Sequence, residues 1–163
     1  MEKIDFVMIW VDGNDPELNA RRAQYASSDE LNCSSIGGKS RYANLGEIFW
    51  CVYSLNKFAP FINRIYIVTD GQDPHLDEAL SQYFPEGMIP VEVVDHKVIF
   101  RGYEQYLPVF NSRAIETLIW RIPGLSEHFL LLNDDFLLIN PVTPEDFFTP
   151  DGKVVCYGSR FSS

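Results

Sequence analysis

Short apolar runs recur along this sequence, and three of them stop abruptly at acidic or amide turns. Residues 4–11 (IDFVMIWV) stop at Asp12-Gly13, residues 64–69 (RIYIVT) at Asp70-Gly71, and residues 129–132 (FLLL) at Asn133-Asp134-Asp135. Runs of this length, rich in branched or aromatic residues and closed by turn residues, read as strands. Residues 91–94 form a fourth run, ending at Asp95-His96-Lys97, and helical patterns fill the intervals. Strand and helix alternating about four times predict an α/β fold: a mostly parallel sheet flanked by helices, with right-handed crossovers. Ligands of open α/β sheets collect at the carboxyl ends of the strands. The polar turns are therefore expected on one rim.

The helical intervals carry their own signals. Ile48, Cys51, Val52, Leu55 and Phe58 fall on one face of a helix over 47–58. Asn14-Asp15-Pro16 opens a helix over 17–25, and Asp73-Pro74 opens one over 74–83. Asn111-Ser112 can cap a helix to about residue 120, which Pro123-Gly124 stops. Thr143-Pro144-Glu145 reads as a helix start within 142–148, and residues 154–157 as a last short strand. Residues 98–110 look irregular. Residues 27–44 are polar and contain Gly37-Gly38, a long mobile loop of the length that often serves as a lid. The expectation is a single domain over 1–163, apparently truncated at its C-terminal end, with no internal repeat.

A chain of 163 residues can bury roughly 70% of its unfolded surface. Its net charge of −10 argues against nucleic acid or an anionic membrane as a bulk electrostatic partner. An anionic substrate would need a local positive site made from a metal or a few arginines. No apolar run is long enough to span a bilayer. The opening MEKIDFVMIWVDG does not read as a signal peptide, and Cys33, Cys51 and Cys156 have no metal-ligand spacing. A cytoplasmic setting is expected.

Asp134 and Asp135 are the sharpest chemical signal, because two adjacent carboxylates inside an apolar stretch need something to balance them. A divalent cation, Mg²⁺ or Mn²⁺, takes such hard oxygen ligands and can bridge a diphosphate. A pair of turn-capping carboxylates explains the same residues, and the triplet alone leaves both readings open. Asp12, Gly13 and Asp15 read locally as turn and cap chemistry. Asp70-Gly71-Gln72 is a turn by default, and a ligand-contacting loop if it reaches the rim. Arg41, Arg113 and Arg121 are candidate phosphate contacts through paired N–H donors. Arg41 is the best placed, since Arg113 has Glu116 three residues on as a helical partner. His96, at a strand end, can bind substrate or exchange protons.

These segments, taken in order, resemble the Stealth family of sugar-phosphate transferases. IDFVMIWVDGNDP is similar to its first shared block. RYANLGEI, KFAPFINRIYIVTDGQDP, VDHKVIF, LPVFNSRAIE and IPGLSEHFLLLNDD are similar to the second, so the resemblance covers nearly all of 4–148. It implies a glycosyltransferase A-like nucleotide-sugar fold. It also implies a reaction in capsular or cell-surface polysaccharide synthesis: transfer of a hexose or N-acetylhexosamine 1-phosphate from a UDP-sugar to a glycan hydroxyl, with release of UMP. Asp134 and Asp135 fall on the family's metal and diphosphate motif, and Asp12 and Gly13 on the nucleotide-side block. Arg41, Asn111, Ser112 and Glu116 match polar positions of the second block. Val52-Tyr53-Ser54 departs from the family's usual L-R-S, which leaves that arginine's role vacant here or taken by another group. The resemblance further implies two later blocks, one supplying a histidine, beyond Ser163. An open sheet edge or an exposed apolar patch near the C-terminus is then expected. The alternatives are an ordinary metal-dependent glycosyltransferase releasing UDP, and a non-catalytic nucleotide-sugar binding fragment. The sugar, the acceptor, the preferred metal and any assembly of identical chains are not readable from the sequence.

Overall fold

In the computed structural model, residues 2–26 and 45–158 are described. Four strands form one parallel sheet in the order β3-β2-β1-β4: β1 (Ile4–Ile9), β2 (Ile65–Thr69), β3 (Val91–Asp95) and β4 (His128–Leu131). Helices α1 (Pro16–Ala23) and α2 (Glu47–Phe58) lie between β1 and β2, and α3 (Leu76–Leu80) between β2 and β3. Helices α4 (His96–Ile99) and α5 (Ser112–Glu116) lie between β3 and β4. The α/β expectation is met. The loop expected over 27–44 lies outside the described residues.

The central strands are apolar along their whole length because both faces of the sheet are covered. β1 is buried from Ile4 to Met8 and β2 throughout. On one face Phe6, Met8, Ile65 and Ile67 pack against Ile48, Cys51, Val52 and Leu55 of α2 and Leu76 and Leu80 of α3. On the other, Val7, Tyr66, Val68 and Val94 pack against Ile99 of α4, Ile115 of α5 and the following Ile119 and Ile122.

Several sequence expectations change. The helix expected over 112–120 breaks into α5 and a separate 3-10 turn at Ile119–Arg121. The helix expected from Pro74 starts two residues later, because His75 takes a left-handed conformation at φ 51° just before it. Residues 96–99, expected to be irregular from 98 on, form the single turn α4, capped by the Asp95 carboxylate accepting from Lys97 N at 2.7 Å. The last strand is reduced to one antiparallel bridge between Phe148 and Val154, outside the sheet.

The largest difference concerns β4. Its apolar sequence suggested a buried strand, but it is an edge strand and its residues are half-buried or exposed. Beyond it the chain runs back along α2, with Leu138 N donating to Ser54 Oγ at 3.1 Å and Val142 N to Phe58 O at 2.9 Å. Leu138 packs on the core, whereas Leu131, Phe136, Leu137 and Ile139 stay exposed. Hydrophobicity reports what a strand can tolerate, and only topology decides whether a neighbour covers it.

Cys51 and Cys156 differ in the same structural way. Cys51 is buried on the sheet-facing side of α2, where burial and the charges of Asp134 and Asp135 push its thiol up to about 12. Cys156 is exposed. Thiol labelling of the native chain near pH 8, read by peptide mapping, should modify Cys156 and spare Cys51 until denaturant is added. Equal labelling of both would contradict this packing of α2.

Candidate functional site

The strand ends do converge on one rim. After β1 the chain turns at Asp12, whose carboxylate accepts from Asn14 N at 2.9 Å, while Gly13 O accepts from Asn19 Nδ2 at 2.7 Å. Asp15 caps α1 by accepting from Glu17 N at 2.8 Å. Gln72, from the turn after β2, ties this segment down. Its Oε1 accepts from Asp12 N at 2.8 Å, and its Nε2 donates to Asp15 Oδ2 at 2.7 Å and Asp12 O at 3.2 Å. The Gln72 and backbone donors hold the Asp15 carboxyl below the usual carboxylate range. Asp70, beside it, pairs with Arg21 of α1 at 2.8 Å. The turn reading of these residues is thus realised in detail, and it also locks the first two strand ends into one rigid edge.

The clamp gives a direct prediction. Gln72→Glu replaces a donor to Asp15 with a second carboxylate. It should lower the denaturant midpoint at pH 7. The loss should shrink below about pH 4 as the carboxylates protonate. Denaturant titrations at both pH values measure it, and equal stability of the two proteins at pH 7 would overturn the clamp.

Gly71 has φ +73°, a conformation that side chains disfavour, and a Cβ there would lie 3.5 Å from Asp95 Oδ2. This bend brings the β2 turn against the end of β3. Together they frame a cavity of about 450 Å³ walled by Asp15, Arg21, Asp70, Gln72, His96 and Lys97, with Leu107 and Pro108 at its margin. A larger cavity, about 740 Å³, opens at the amino ends of β1 and β4 beside Glu2 and His128. There His128 Nε2 lies in hydrogen-bond contact with Gly152 O at 2.9 Å, and its Nδ1 faces Glu2 Oε2 at 3.0 Å.

Across the sheet from the smaller cavity, beyond β1, Asp134 and Asp135 follow β4. Asp134 lies half-buried near the first turn of α2. Burial, with the charges of Asp135 and Glu47, pushes its carboxyl up to about 6, against an opposing backbone hydrogen bond. Asp135 is exposed. Among the described residues, no three His, Cys, Asp or Glu side chains converge as a metal cage. Two adjacent carboxylates with no ion pair among the described residues instead fit the other mode of Mg²⁺ binding, in which one or two carboxylates hold the ion and water and substrate phosphates complete its shell.

The remaining candidates separate. Asn111 caps α5 by accepting from Arg113 N at 3.0 Å. Ser112 and Glu116 lie on α5, and no described hydrogen bond or ion pair joins Glu116 to the acidic pair or to Arg113. Arg121 donates to Ile99 O at 2.9 Å and Arg101 O at 2.7 Å, so it braces a loop. Arg41 lies outside the described residues.

A further feature of the rim escaped the sequence reading. The buried side-chain polar atoms without a hydrogen-bond partner, among the described residues, are Trp10 Nε1, Thr69 Oγ1, both ring nitrogens of His96, and His128 Nδ1, which faces Glu2. The first three residues stand at the carboxyl ends of β1, β2 and β3. An unsatisfied buried polar group costs about 1–3 kcal/mol, so a cluster of them at one edge calls for an explanation. No local signal marks Trp10 or Thr69, because each reads as an ordinary strand residue.

The description Stealth protein CR2, conserved region 2, matches residues 41–156, and Stealth protein CR1, conserved region 1, matches residues 2–30. The chain belongs to the Stealth family. This Stealth chain is 41% identical over 152 residues to the receptor polysaccharide phosphotransferase WefC of Streptococcus oralis, covering 93% of the chain and 43% of that protein. It is 38% identical over 151 residues to the capsular polysaccharide phosphotransferase LcbA of Neisseria meningitidis, covering 92% and 39%. It is 39% identical over 157 residues to the exopolysaccharide phosphotransferase SCO6021 of Streptomyces coelicolor, covering 96% and 27%. The Stealth chain thus spans less than half the length of these relatives. No helix among its described residues is long and apolar enough to cross a membrane.

Proposed function

We propose that this chain carries the donor-binding rim of a sugar-1-phosphate transferase of polysaccharide synthesis. Its donor would be a UDP-sugar, its acceptor a glycan hydroxyl, and its products a phosphodiester-linked sugar and UMP. The observation that carries the reading is the gathering of four strand ends on one edge, with a polar cavity at β2–β3 and an acidic pair after β4. Three inter-strand steps of about 4.8 Å separate β3 from β4, roughly 14 Å in all, which suits a ligand with two chemically different ends. The relatives, all named as polysaccharide phosphotransferases, support the reaction class.

In this reading Asp134 and Asp135 hold a divalent cation, Mg²⁺ first and Mn²⁺ second. The cation, when bound, neutralises diphosphate charge and so favours attack at phosphorus. The chain's own residues bind and orient. The Gln72 clamp keeps the β1 and β2 turns rigid, and the cavity beside it takes the nucleoside end. Arg41 is the proposed phosphate contact, and Asp12, Gly13, Asn111, Ser112 and Glu116 are proposed to support donor or acceptor. The setting proposed is the bacterial cytoplasm.

Product analysis of the longest natural form of the protein, given UDP-sugar, Mg²⁺ and acceptor, tests the reaction. UMP release is the expected result. UDP release without UMP would replace this reading with ordinary glycosyl transfer on the same site.

A further inference from the structure

His96 is the one histidine among the described residues whose ring is both fully enclosed and unengaged. It is 1% exposed, and neither ring nitrogen has a partner. It stands at the first position of α4 and forms part of the wall of the 450 Å³ cavity at the ends of β2 and β3. The groups around it are already committed elsewhere. Asp70 pairs with Arg21 at 2.8 Å, and Asp95 accepts from Lys97 N at 2.7 Å. From the other side Phe100 packs against the ring, with centroids 6.5 Å apart. The fold therefore encloses a donor–acceptor ring in the wall of a cavity and leaves both of its buried nitrogens without a hydrogen-bond partner.

The cavity wall also says what kind of group would satisfy them. Asp15, Glu17 and Asp70 contribute three carboxylates against the cations Arg21 and Lys97, and Arg21 is held by Asp70. With three carboxylates against two cations, one of them already paired, such a wall disfavours phosphate. A neutral imidazole offers one N–H donor and one acceptor nitrogen. Burial holds His96 below the ordinary histidine range, against the opposing charges of Asp70 and Asp95, and so preserves that neutral form. An uncharged group that donates to the bare nitrogen or accepts from the N–H satisfies the ring nitrogen that it reaches, as the edge of a nucleobase or a ribose hydroxyl can.

We infer that His96 is a specificity-determining residue that hydrogen-bonds the uncharged nucleoside portion of the donor in the cavity at the β2–β3 edge. The inference rests on the donor-site reading above and goes beyond it by dividing the rim. The nucleoside is read at His96 without metal, and the diphosphate is held at Asp134 and Asp135.

Imidazole ¹⁵N spectra of the protein, titrated with uridine, UMP and inorganic pyrophosphate in the presence of EDTA, test it without any substitution. Uridine and UMP should shift the His96 ring nitrogens, and pyrophosphate should not. Calorimetry with UMP in EDTA then adds the variants. His96→Ala should weaken UMP at least tenfold. His96→Asn, which keeps a donor and an acceptor, should recover part of that loss, an outcome a purely structural histidine would not give. Unchanged UMP affinity in His96→Ala, or an equal His96 shift with pyrophosphate, would overturn the assignment and leave the donor site standing. Absence of UMP and UDP-sugar binding to the wild-type protein, with and without Mg²⁺, would overturn the donor site and this inference together.

Discussion

Asp134→Asn should abolish metal-dependent donor binding and, at the same time, make the metal-free chain more stable. The Asp134 carboxyl rises from 3.8 to about 6 because burial and the neighbouring charges of Asp135 and Glu47 disfavour its ionised form. The folded chain therefore binds that proton more tightly than the unfolded chain does. The stability linked to it is fully present below pH 3.8 and is lost as pH rises through about 6. Two pK units correspond to about 3 kcal/mol. Partial exposure screens this to roughly 1–2 kcal/mol. The Asn variant escapes the loss, so its melting temperature in EDTA should exceed that of wild type at pH 7.5 and match it near pH 4. Calorimetry with UDP-sugar and Mg²⁺ should show affinity reduced at least about a hundredfold. A variant that is no more stable at pH 7.5, or that keeps metal-dependent binding, would remove Asp134 from the proposed site.

Asp5→Ala has the largest expected effect on folding. Asp5 is fully buried in β1, where its carboxylate accepts from Asn63 Nδ2 and from Ser126 N, both at 2.7 Å. The two donors come from the segments that lead into β2 and β4, so one side chain stitches three strand entries together at the amino end of the sheet. Truncation leaves both donors buried without an acceptor. Each orphan costs about 1–3 kcal/mol, for a total of about 3 kcal/mol or more. That is a large part of the 5–15 kcal/mol typical of a domain. The urea midpoint should fall sharply. Asp5→Asn, keeping one acceptor oxygen, should fall about half as far. Because Asp5 lies at the opposite end of the strands from the rim, UMP affinity of the remaining folded protein should not change. A shift in the urea midpoint worth less than about 1 kcal/mol would show that the network contributes little.

Both residues pose the same question in the sequence, an acid set in an apolar run, and they have opposite answers. Asp5 finds two donors, 58 and 121 positions away. Among the described residues, the charges that act on Asp134 are those of Asp135 and Glu47, both negative. Nothing local separates the two cases. The expected helix over 112–120 failed for a related reason. Its apolar spacing is real, but Ile115, Ile119 and Ile122 satisfy the core from a broken helix as well as from a continuous one.

The residues alone determined the four strands of the sheet and their sequence order, the acidic turns that end them, and the family pattern. Periodicity and turn chemistry act over a few neighbours and are legible one segment at a time. Only the tertiary structure decided that β4 is an edge, that Gln72 clamps Asp12 and Asp15, and that Trp10, Thr69 and His96 stand unpartnered along one rim. Those outcomes depend on which distant groups meet. A hydrogen bond or an unpaired charge belongs to a pair of residues, and the pairing exists only once the chain has folded.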